Sequence, residues 1–379
     1  MTGSICDVLP ATAALLGVPD AVDRLGLAEA AGQVDRVLVV LVDGLGWHLL
    51  PELTGEAPLL ASALAGSVGR LSQLVCTFPS TTPTSLVSLG TGAQPGEHGI
   101  LGFTVNIPGT DRVLTHIQWH QRVGDPPYTE WQPLPTWFER LQRAGVSARA
   151  VLPKSFIGSG LTDAAYRGAQ FLPMHPDGDY SQQLTDELRA APGLVYGYIA
   201  DLDNAAHMFG IGSPQWHDAA AGIDALLTRL VEALPGNAAL LVTADHGGLN
   251  VSADARVDLD LDPRLGDGVR VVAGEARVRY LHTEPGAAAD VQAAWTEVTA
   301  GWAQVYSREQ AVATGMFGPV SPAHLARIGD VVVVCTGNAA VLATAHEPPE
   351  MGRLIGFHGA ASEVEMAIPL IVFTPCRGG

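Results

Sequence analysis

Short apolar segments rich in β-branched residues recur along this chain, and they constrain its fold more than any other feature. Each is five or six residues long and nearly continuous, and longer stretches with helical spacing lie between them. A continuous apolar strand is buried on both faces, which is typical of a parallel sheet covered by helices. The sequence therefore predicts an α/β fold with a mostly parallel central sheet flanked by helices. The strands are predicted at residues 37–42, 148–152, 194–199, 239–243, 331–335 and 368–373.

Amphipathic helices and one long insertion complete the predicted architecture. Residues 134–143 and 219–234 carry apolar side chains at three- and four-residue spacing, as a helix with one buried face does. Residues from about 251 to 330 contain turns rich in Gly, Asp and Arg, and one more strand-like run at 276–281. We therefore expect a single domain over residues 1–379, with about 251–330 forming an inserted cap subdomain.

The charge balance limits the class of partner. The chain has 39 Asp and Glu against 21 Lys and Arg, and its net charge of −18 repels nucleic-acid polymers. The most apolar stretch, residues 37–42, is far short of the roughly 20 residues that span a bilayer. Residues 1–20 also lack the basic segment that precedes the apolar core of a secretion signal. We expect a soluble, cytoplasmic protein that binds no membrane and acts on a small anionic molecule at a locally positive site.

The cysteines give no sign of a disulfide framework or a zinc knuckle. Cys6, Cys76, Cys335 and Cys376 are scattered along the chain and form no C-x-x-C pair. We therefore expect reduced thiols with mostly structural roles.

Polar residues follow the predicted strands at the edge where their carboxyl ends meet. Asp43-Gly44, Asp203 and Asp245-His246 each come at or shortly after a strand end, and the hydroxyl-rich residues 77–85 follow a fourth strand-like run at 74–76. In sheets of this kind, ligands bind outside the carboxyl ends of the strands. Each feature also has a purely structural interpretation, because Asp-Gly is a common turn and Ser and Thr cap helices.

Two further histidines favour metal binding at this edge. Asp203 and His207 are four residues apart at a predicted helix start, so both side chains lie on one face, one turn apart. The alternative is a capping Asp beside a partly buried histidine. His358 adds a third imidazole, and three carboxylates with three imidazoles suit two divalent ions, Zn²⁺ in preference to Mn²⁺. Two such ions outweigh the negative charges of Asp43, Asp203 and Asp245, so the pocket becomes net positive and suits a phosphate ester.

Taken in order, these segments resemble the alkaline phosphatase superfamily, and most closely its nucleotide pyrophosphatase/phosphodiesterase family. The resemblance covers about residues 35 to 375, and the ordered set is far more specific than any of its parts. The segments that carry it are Asp43-Gly44, Phe78-Pro-Ser-Thr-Thr82, Thr91-Gly92, Glu97-His98-Gly99-Ile100, Tyr198-Ile199, Asp203-x-x-x-His207, Asp245-His246-Gly247 and His358-Gly359.

The resemblance implies a two-metal site with a threonine nucleophile. One ion would be held by Asp203, His207 and His358, and the other by Asp43, Asp245 and His246, with Thr82 bound to the second ion as the nucleophile. Thr82 lies four residues after Phe78 and nine before Thr91, as the nucleophile does in this family. The family's proline usually comes two residues after the nucleophile, whereas Pro83 follows Thr82 directly, so Thr81 remains the alternative.

One departure from the family pattern and one aromatic segment concern the substrate. The family's asparagine that binds a phosphate oxygen corresponds to Phe103 here, and Asn106 is near but not aligned. Residues 119–132 are rich in aromatic side chains, of which Tyr128 and Trp131 either stack on a base or belong to the core. Sulfatases, which are also relatives, need an Arg after the nucleophile, and no Arg follows the threonines here.

The resemblance thus implies a two-metal phosphohydrolase that cleaves phosphodiester or pyrophosphate bonds of nucleotide-like substrates through a phosphothreonine intermediate. The alternatives on the same scaffold are a metal-dependent phosphomonoesterase, a phosphonate hydrolase, a phosphomutase or a degenerate binding module without catalysis. Residues 83–89 supply no Arg or Lys to balance a dianionic monoester, which favours diesters. Lys154, the only lysine, either reaches the pocket or is a solvated loop residue.

Overall fold

A computed structural model gives the fold of residues 3–120, 123–176 and 178–375, which are the residues that the structure describes. The strands are β1 (Gly3–Ser4), β2 (Arg36–Val42), β3 (Arg70–Val75), β4 (Thr104–Asn106), β5 (Val113–Thr115), β6 (Ala148–Leu152), β7 (Gln170–Pro173), β8 (Gly193–Ile199), β9 (Ala238–Thr243), β10 (Leu249–Asn250), β11 (Arg256–Asp258), β12 (Val269–Glu275), β13 (Val278–Thr283), β14 (Ala303–Ser307), β15 (Val331–Cys335), β16 (Ala340–Leu342), β17 (Gly356–Phe357) and β18 (Ala367–Phe373).

The α-helices are α1 (Val8–Leu15), α2 (Leu27–Ala31), α3 (Pro58–Leu64), α4 (Thr82–Thr91), α5 (Pro95–His98), α6 (Tyr128–Trp131), α7 (Trp137–Arg143), α8 (Gly160–Tyr166), α9 (Tyr180–Ala190), α10 (Asp201–Phe209), α11 (Pro214–Glu232), α12 (Pro263–Gly266), α13 (Ala288–Val298), α14 (Arg308–Ala313) and α15 (Glu363–Met366). Short 3₁₀ segments lie at Ile5–Asp7, Trp47–Leu53, His116–Gln118, Lys154–Phe156, Ala253–Ala255, Leu259–Leu261, Pro322–Arg327 and Met351–Arg353.

The central sheet is mostly parallel and flanked by helices, as the apolar runs predict. Within the described residues it has eight strands in the order β1-β3-β18-β9-β2-β8-β6-β7. β2 pairs in parallel with β8 and β9, and β6 pairs in parallel with β8 and β7. β18 is the exception, because it is antiparallel to both of its neighbours, β3 and β9. The runs at 37–42, 148–152, 194–199, 239–243 and 368–373 are all strands of this sheet, within one residue of their predicted bounds.

The run at 331–335 does not belong to the central sheet, and its prediction there is wrong. It forms β15 in a second, antiparallel sheet with the order β12-β13-β15-β14. Val332 and Val334 face the main core, while Val331 and Val333 face a smaller core that contains Trp295 of α13. A continuous apolar run indicates that a strand is buried on both faces, but it does not determine which sheet the strand joins.

The second sheet is built from residues that lie between β10 and β17, which pair with each other. The run predicted at 276–281 corresponds to β13, shifted by two residues. The additional structure continues beyond residue 330, through β15 to β16, which pairs in parallel with β11. One face of the second sheet packs on the main core through Tyr280, and α13 covers the other face.

Both predicted amphipathic helices are present, with different starts. The helix predicted from residue 134 begins at Trp137. Pro135 disfavours the helical backbone conformation at residue 134, and Thr136 caps the first turn of the helix. Thr136 Oγ1 accepts from the Glu139 N–H at 3.1 Å, and a Glu139 carboxylate oxygen accepts from the Thr136 N–H at 3.0 Å. The helix predicted from residue 219 is α11, which starts earlier at Pro214 behind the capping residue Ser213.

The strand directions bring several loops to one edge of the central sheet. The carboxyl ends of β3, β9, β2 and β8 lie at the same edge, since these strands run in the same direction. Because β18 runs the other way, its amino end lies there too, so the loop before β18 arrives beside the loops that follow the parallel strands. Ligand-binding residues of α/β sheets concentrate at such an edge.

Two other expectations concern the thiols and the membrane. Cys6, Cys76 and Cys335 are buried and free, and Cys376 lies outside the described residues. Among the helices of the described residues, none is both long enough and apolar enough to cross a bilayer.

Candidate active site

The turn after β2 brings three carboxylates together. Asp43 follows β2 directly and is buried, and Gly44 has a φ of +74°. A Cβ on Gly44 would lie 2.9 Å from the Cβ of Asp203, so only glycine fits this position. The Gly44 N–H donates to Asp245 Oδ1 at 3.1 Å. The Asp-Gly pair is therefore a turn and also the contact point of Asp43, Asp203 and Asp245.

Helix α10 presents Asp203 and His207 on one face, as their spacing predicts. Asp203 Oδ2 lies 3.0 Å from His207 Nε2. His207 Nδ1 donates to the carbonyl oxygen of Gly356 at 2.8 Å, which directs Nε2 toward the carboxylates. Asp201, at the start of the same helix, is exposed to solvent.

His246 and His358 complete the cluster and are oriented in the same way. His358 Nδ1 donates to the carbonyl oxygen of Ser80 at 2.8 Å, and His246 Nδ1 donates to that of Gly247 at 2.9 Å. The two rings stack with centroids 3.6 Å apart. His358 Nε2 and His207 Nε2 are only 3.2 Å apart, so two ring nitrogens that carry lone pairs in the neutral rings face each other. A cation between them satisfies both nitrogens.

The structure brings all six predicted ligands together, and five of them form two overlapping sets. The ligand atoms of Asp203, His207 and His358 lie within 4.8 Å of one another, and those of Asp43, Asp203 and His246 do so as well. Asp245 Oδ2 is 3.5 Å from His246 Nε2. Asp203 thus belongs to both sets, whereas the resemblance assigns it to one ion.

Unpaired buried oxygen atoms fit the presence of cations in this cluster. Asp43 Oδ1 and Asp245 Oδ2 are buried without a hydrogen-bond partner. A buried carboxylate oxygen without a partner is costly, and a divalent ion provides the missing one. The donor set contains imidazoles and carboxylates but no thiolate, which suits zinc.

The pKa values of the cluster reflect the crowding of its carboxylates. Burial, with the neighbouring Asp245 and Asp203, raises the pKa of Asp43 well above its usual value. Burial and Asp203 raise the pKa of Asp245 to about 6. Burial lowers the pKa of His246, and burial with the adjacent His246 lowers the pKa of His358 to about 3. Both rings are therefore neutral near pH 7, which is the form that binds metal.

Asp203 and His207 form an ion pair inside this cluster. Burial opposes both charges, but His207 outweighs it and lowers the pKa of Asp203 below its usual value. Burial also opposes protonation of His207, but Asp203 raises its pKa to about 9. A metal ion displaces this proton, because only neutral imidazole offers its nitrogen lone pair.

Of the two candidate threonines, the structure places Thr82 at the cluster. Thr82 is the first residue of α4, and its Oγ1 lies 3.3 Å from His246 Nε2. Thr81 is the capping residue of the same helix, is fully buried and does not line the cavity at the cluster. The amino-terminal end of a helix also favours a nearby anion such as a phosphate group.

A cavity of about 340 Å³ opens onto the cluster. Asn204 is the one amide side chain that lines it among the described residues, and none of the lining residues in this part of the chain is Lys or Arg. Lys154 is exposed and does not line the cavity. The remaining wall is mostly apolar and is formed by Phe103, Ile117, Met208, Met351, Leu354 and Phe357.

The family's phosphate-binding asparagine has no counterpart at the aligned position. Phe103 lines the cavity, as the alignment of the motifs implies. Asn106 lies in β4 and is buried away from the cavity lining.

The aromatic segment at 119–132 contributes to the core and not to the cavity. Trp119 and Trp131 are buried, and Trp131 Nε1 donates to His116 Nε2 at 3.0 Å. Tyr128 packs near Arg167, and neither Tyr128 nor Trp131 lines the cavity. Gln121 and Arg122 lie outside the described residues. Stacking of Tyr128 and Trp131 on a substrate is therefore wrong, and the core interpretation holds.

Two residues at the site were missed by the sequence analysis. The Tyr198 hydroxyl donates to Asp43 Oδ2 and so orients a candidate ligand. Glu275, at the end of β12, is 7% exposed and lines the cavity, and burial raises its pKa to about 8. Tyr198 stands in a segment of the resemblance, and Glu275 directly precedes the strand-like run at 276–281. No motif or spacing in the sequence marks Glu275 as a residue of the site.

Comparisons with known proteins identify the family and the shared fold. The sequence matches the type I phosphodiesterase/nucleotide pyrophosphatase family over residues 37–361. No curated protein sequence matches the chain. The solved structure of murine ectonucleotide pyrophosphatase/phosphodiesterase 5 is similar, with a TM-score of 0.71 and 20% identity, over 90% of this chain and 88% of that one.

Two further solved structures are similar over the same shares of both chains, 90% of this one and 88% of the other. One is an inactive threonine-to-alanine variant of the murine protein in complex with AMP, with a TM-score of 0.71 and 20% identity. The other is the human protein, with a TM-score of 0.68 and 19% identity. At these identities the likeness shows the shared fold.

Proposed function

The chain belongs to the type I phosphodiesterase/nucleotide pyrophosphatase family, and we propose that it hydrolyses phosphodiester or pyrophosphate bonds at a two-metal site through a phosphothreonine intermediate. The observation that carries this proposal is the place of Thr82. Its hydroxyl oxygen lies 3.3 Å from His246 Nε2, at the mouth of a cluster of three carboxylates and three imidazoles.

We propose that the six residues of the cluster hold two divalent ions, and that both ions are Zn²⁺. Asp203, His207 and His358 would hold one ion, and Asp43, Asp245 and His246 the other. When bound, such ions neutralise phosphoryl charge and lower the pKa of a coordinated hydroxyl or water. Tyr198 fixes the carboxylate of Asp43, and the backbone carbonyl groups beside the three histidines hold their rings.

Thr82 would carry out the first half of the reaction. Its Oγ1 attacks phosphorus, a bond from Oγ1 to phosphorus forms, and the bond to the ester or anhydride oxygen breaks. Water then hydrolyses the phosphothreonine and restores the hydroxyl group. As the first residue of α4, Thr82 is held at a helix start whose partial positive charge favours the phosphoryl group.

The apolar wall of the cavity supports a substrate with an organic group on each side of the phosphate. Six large apolar side chains line the cavity, whereas most of its polar residues lie in or beside the metal cluster. The murine relative was solved in complex with AMP. We propose nucleotide-like phosphate esters as the substrate class. The test is metal analysis of the purified protein, combined with a rate comparison across diesters, monoesters and pyrophosphates.

We expect the enzyme to prefer diesters to monoesters. A monoester dianion needs an extra cation near the nucleophile, and no Lys or Arg lines the cavity among the described residues. The measurement compares kcat/KM for bis(p-nitrophenyl) phosphate with that for p-nitrophenyl phosphate, which share a leaving group. Lys154→Ala is the control and should leave the ratio unchanged. A clear monoester preference would contradict the expected charge selection, and loss of that preference in Lys154→Ala would identify Lys154 as the cation that balances the dianion.

Glu275→Gln should increase monoester hydrolysis relative to diester hydrolysis, by about tenfold. Glu275 adds a third carboxyl group to the cavity lining, beside those of Asp43 and Asp203, and its negative charge repels a dianion more strongly than a monoanion. The assay at pH 9 keeps this carboxyl group, with its pKa of about 8, mostly ionised. Asp201→Asn removes a charge from an exposed position and should not change the ratio. An unchanged ratio in Glu275→Gln would show that Glu275 does not select substrate charge.

A further inference from the structure

A fully buried ion pair joins the second sheet to the loops of the metal cluster. Arg277 lies in the turn between β12 and β13, Glu365 lies in α15, and neither side chain is exposed. Arg277 Nε donates to Glu365 Oε1 at 3.0 Å, and Nη2 donates to Oε2 at 2.7 Å. Two parallel hydrogen bonds fix the guanidinium and the carboxylate in one relative orientation.

Glu365 contacts the backbone beside two candidate ligands. Its Oε1 accepts from the Ala360 N–H at 3.0 Å, two residues after His358. Its backbone carbonyl oxygen accepts from the Gly247 N–H at 2.8 Å, one residue after His246. Glu365 therefore holds both the loop of His246 and the loop of His358. These two histidines belong to different ligand sets.

Arg277 is anchored on its other side by the insertion. Its Nη1 donates to the carbonyl oxygens of Gly337 and Ala339. Burial alone would raise the pKa of Glu365, but the hydrogen bonds and charge of Arg277 outweigh burial and keep that pKa below its usual value. Without Arg277, a buried carboxylate stays unpaired, and the backbone that it holds must rearrange or the group must take up a proton.

We propose that Arg277 is a positioning residue that acts through Glu365 to hold the loops of His246 and His358 in the geometry that binds metal. The inference rests on the proposed metal site and extends it to a residue of the second sheet. Partners that orient metal ligands commonly affect metal affinity by 10- to 100-fold. The second sheet is then a structural part of the metal site, although its described residues supply none of the six candidate ligands.

Strand β13, which follows Arg277, offers a matched control. Arg279, two residues further on, is also buried, donates to the carbonyl oxygen of Val341 and pairs with Glu347. These partners lie in the loop region around β16 and do not include the loops of His246 or His358. A change at Arg279 therefore removes a buried arginine pair without touching the metal cluster.

The experiment measures the Zn²⁺ affinity of the full chain by competition with a chelator, together with the unfolding temperature. Arg277→Met should lower the affinity about tenfold or more. Arg279→Met should lower the unfolding temperature but leave the affinity unchanged. The double variant Arg277→Met, Glu365→Gln removes the unpaired charge and keeps an acceptor for Ala360, so it should recover affinity.

Equal affinity losses in Arg277→Met and Arg279→Met, or none in Arg277→Met, would overturn the inference. If Arg277→Met is not recovered folded, Arg277→Lys and Arg279→Lys are compared by the same criterion, since lysine keeps the charge and loses the paired geometry. Wild-type protein that binds no Zn²⁺ would instead overturn the proposed metal site, and the inference with it.

Discussion

Thr82→Ala is expected to fold and bind metal normally but to lose activity by roughly 10³- to 10⁶-fold, because the variant lacks the nucleophilic oxygen. Thr82→Ser keeps a hydroxyl group and should retain measurable activity. The measurement is kcat/KM for bis(p-nitrophenyl) phosphate, with metal content determined on the same samples.

Thr81→Ala is the matched control for this variant. Thr81 is buried beside the nucleophile and does not line the cavity, so its loss should affect activity far less. The reverse ranking, with Thr81→Ala inactive and Thr82→Ala active, would assign the nucleophile to Thr81.

His207→Ala is expected to remove about one bound ion and abolish turnover, since the ion proposed to bind Asp203, His207 and His358 has only these three protein ligands. Asp203→Ala should have the larger effect on metal content, because Asp203 contributes to both overlapping ligand sets. Metal analysis of purified variants, together with single-turnover rates, measures both effects.

Asp201→Ala controls for a charge change in the same helix. Asp201 is exposed and should leave both ions and the rate intact. Variants of Asp203 or His207 that keep two ions and near-normal rates would show that the metal assignment is wrong.

The central sheet is predictable because its strands are buried on both faces. Five of the six apolar runs form strands of the central sheet, among them β2 and β8. Each run is apolar over nearly its whole length, so the sequence also predicts where the strand begins and ends. β15 carries the same signal for a different reason, since it is buried between the main core and α13. The sequence pattern reports the burial of a strand but not the identity of its neighbours.

Five of the six candidate ligands could be named because each lies beside a strand end or at helical spacing, whereas His358 was identified through the resemblance. Asp43 and Asp245 follow parallel strands, and Asp203 and His207 share one helical face, so local rules bring them to one edge. Glu275, Arg277 and Glu365 follow no such rule. Their contacts depend on how the second sheet docks on the main core, which is a long-range property that residue spacing does not encode.

The position of β18 affects when the central sheet can be completed during synthesis. It pairs with β3 and β9 near the middle of the central sheet, yet it follows all other described strands in the chain. While a ribosome is still adding β18, β3 and β9 each present an unpaired edge, and such edges attract other strands. The central sheet therefore cannot be completed until β18 has left the ribosome, because among the described strands β18 alone joins β3 to β9.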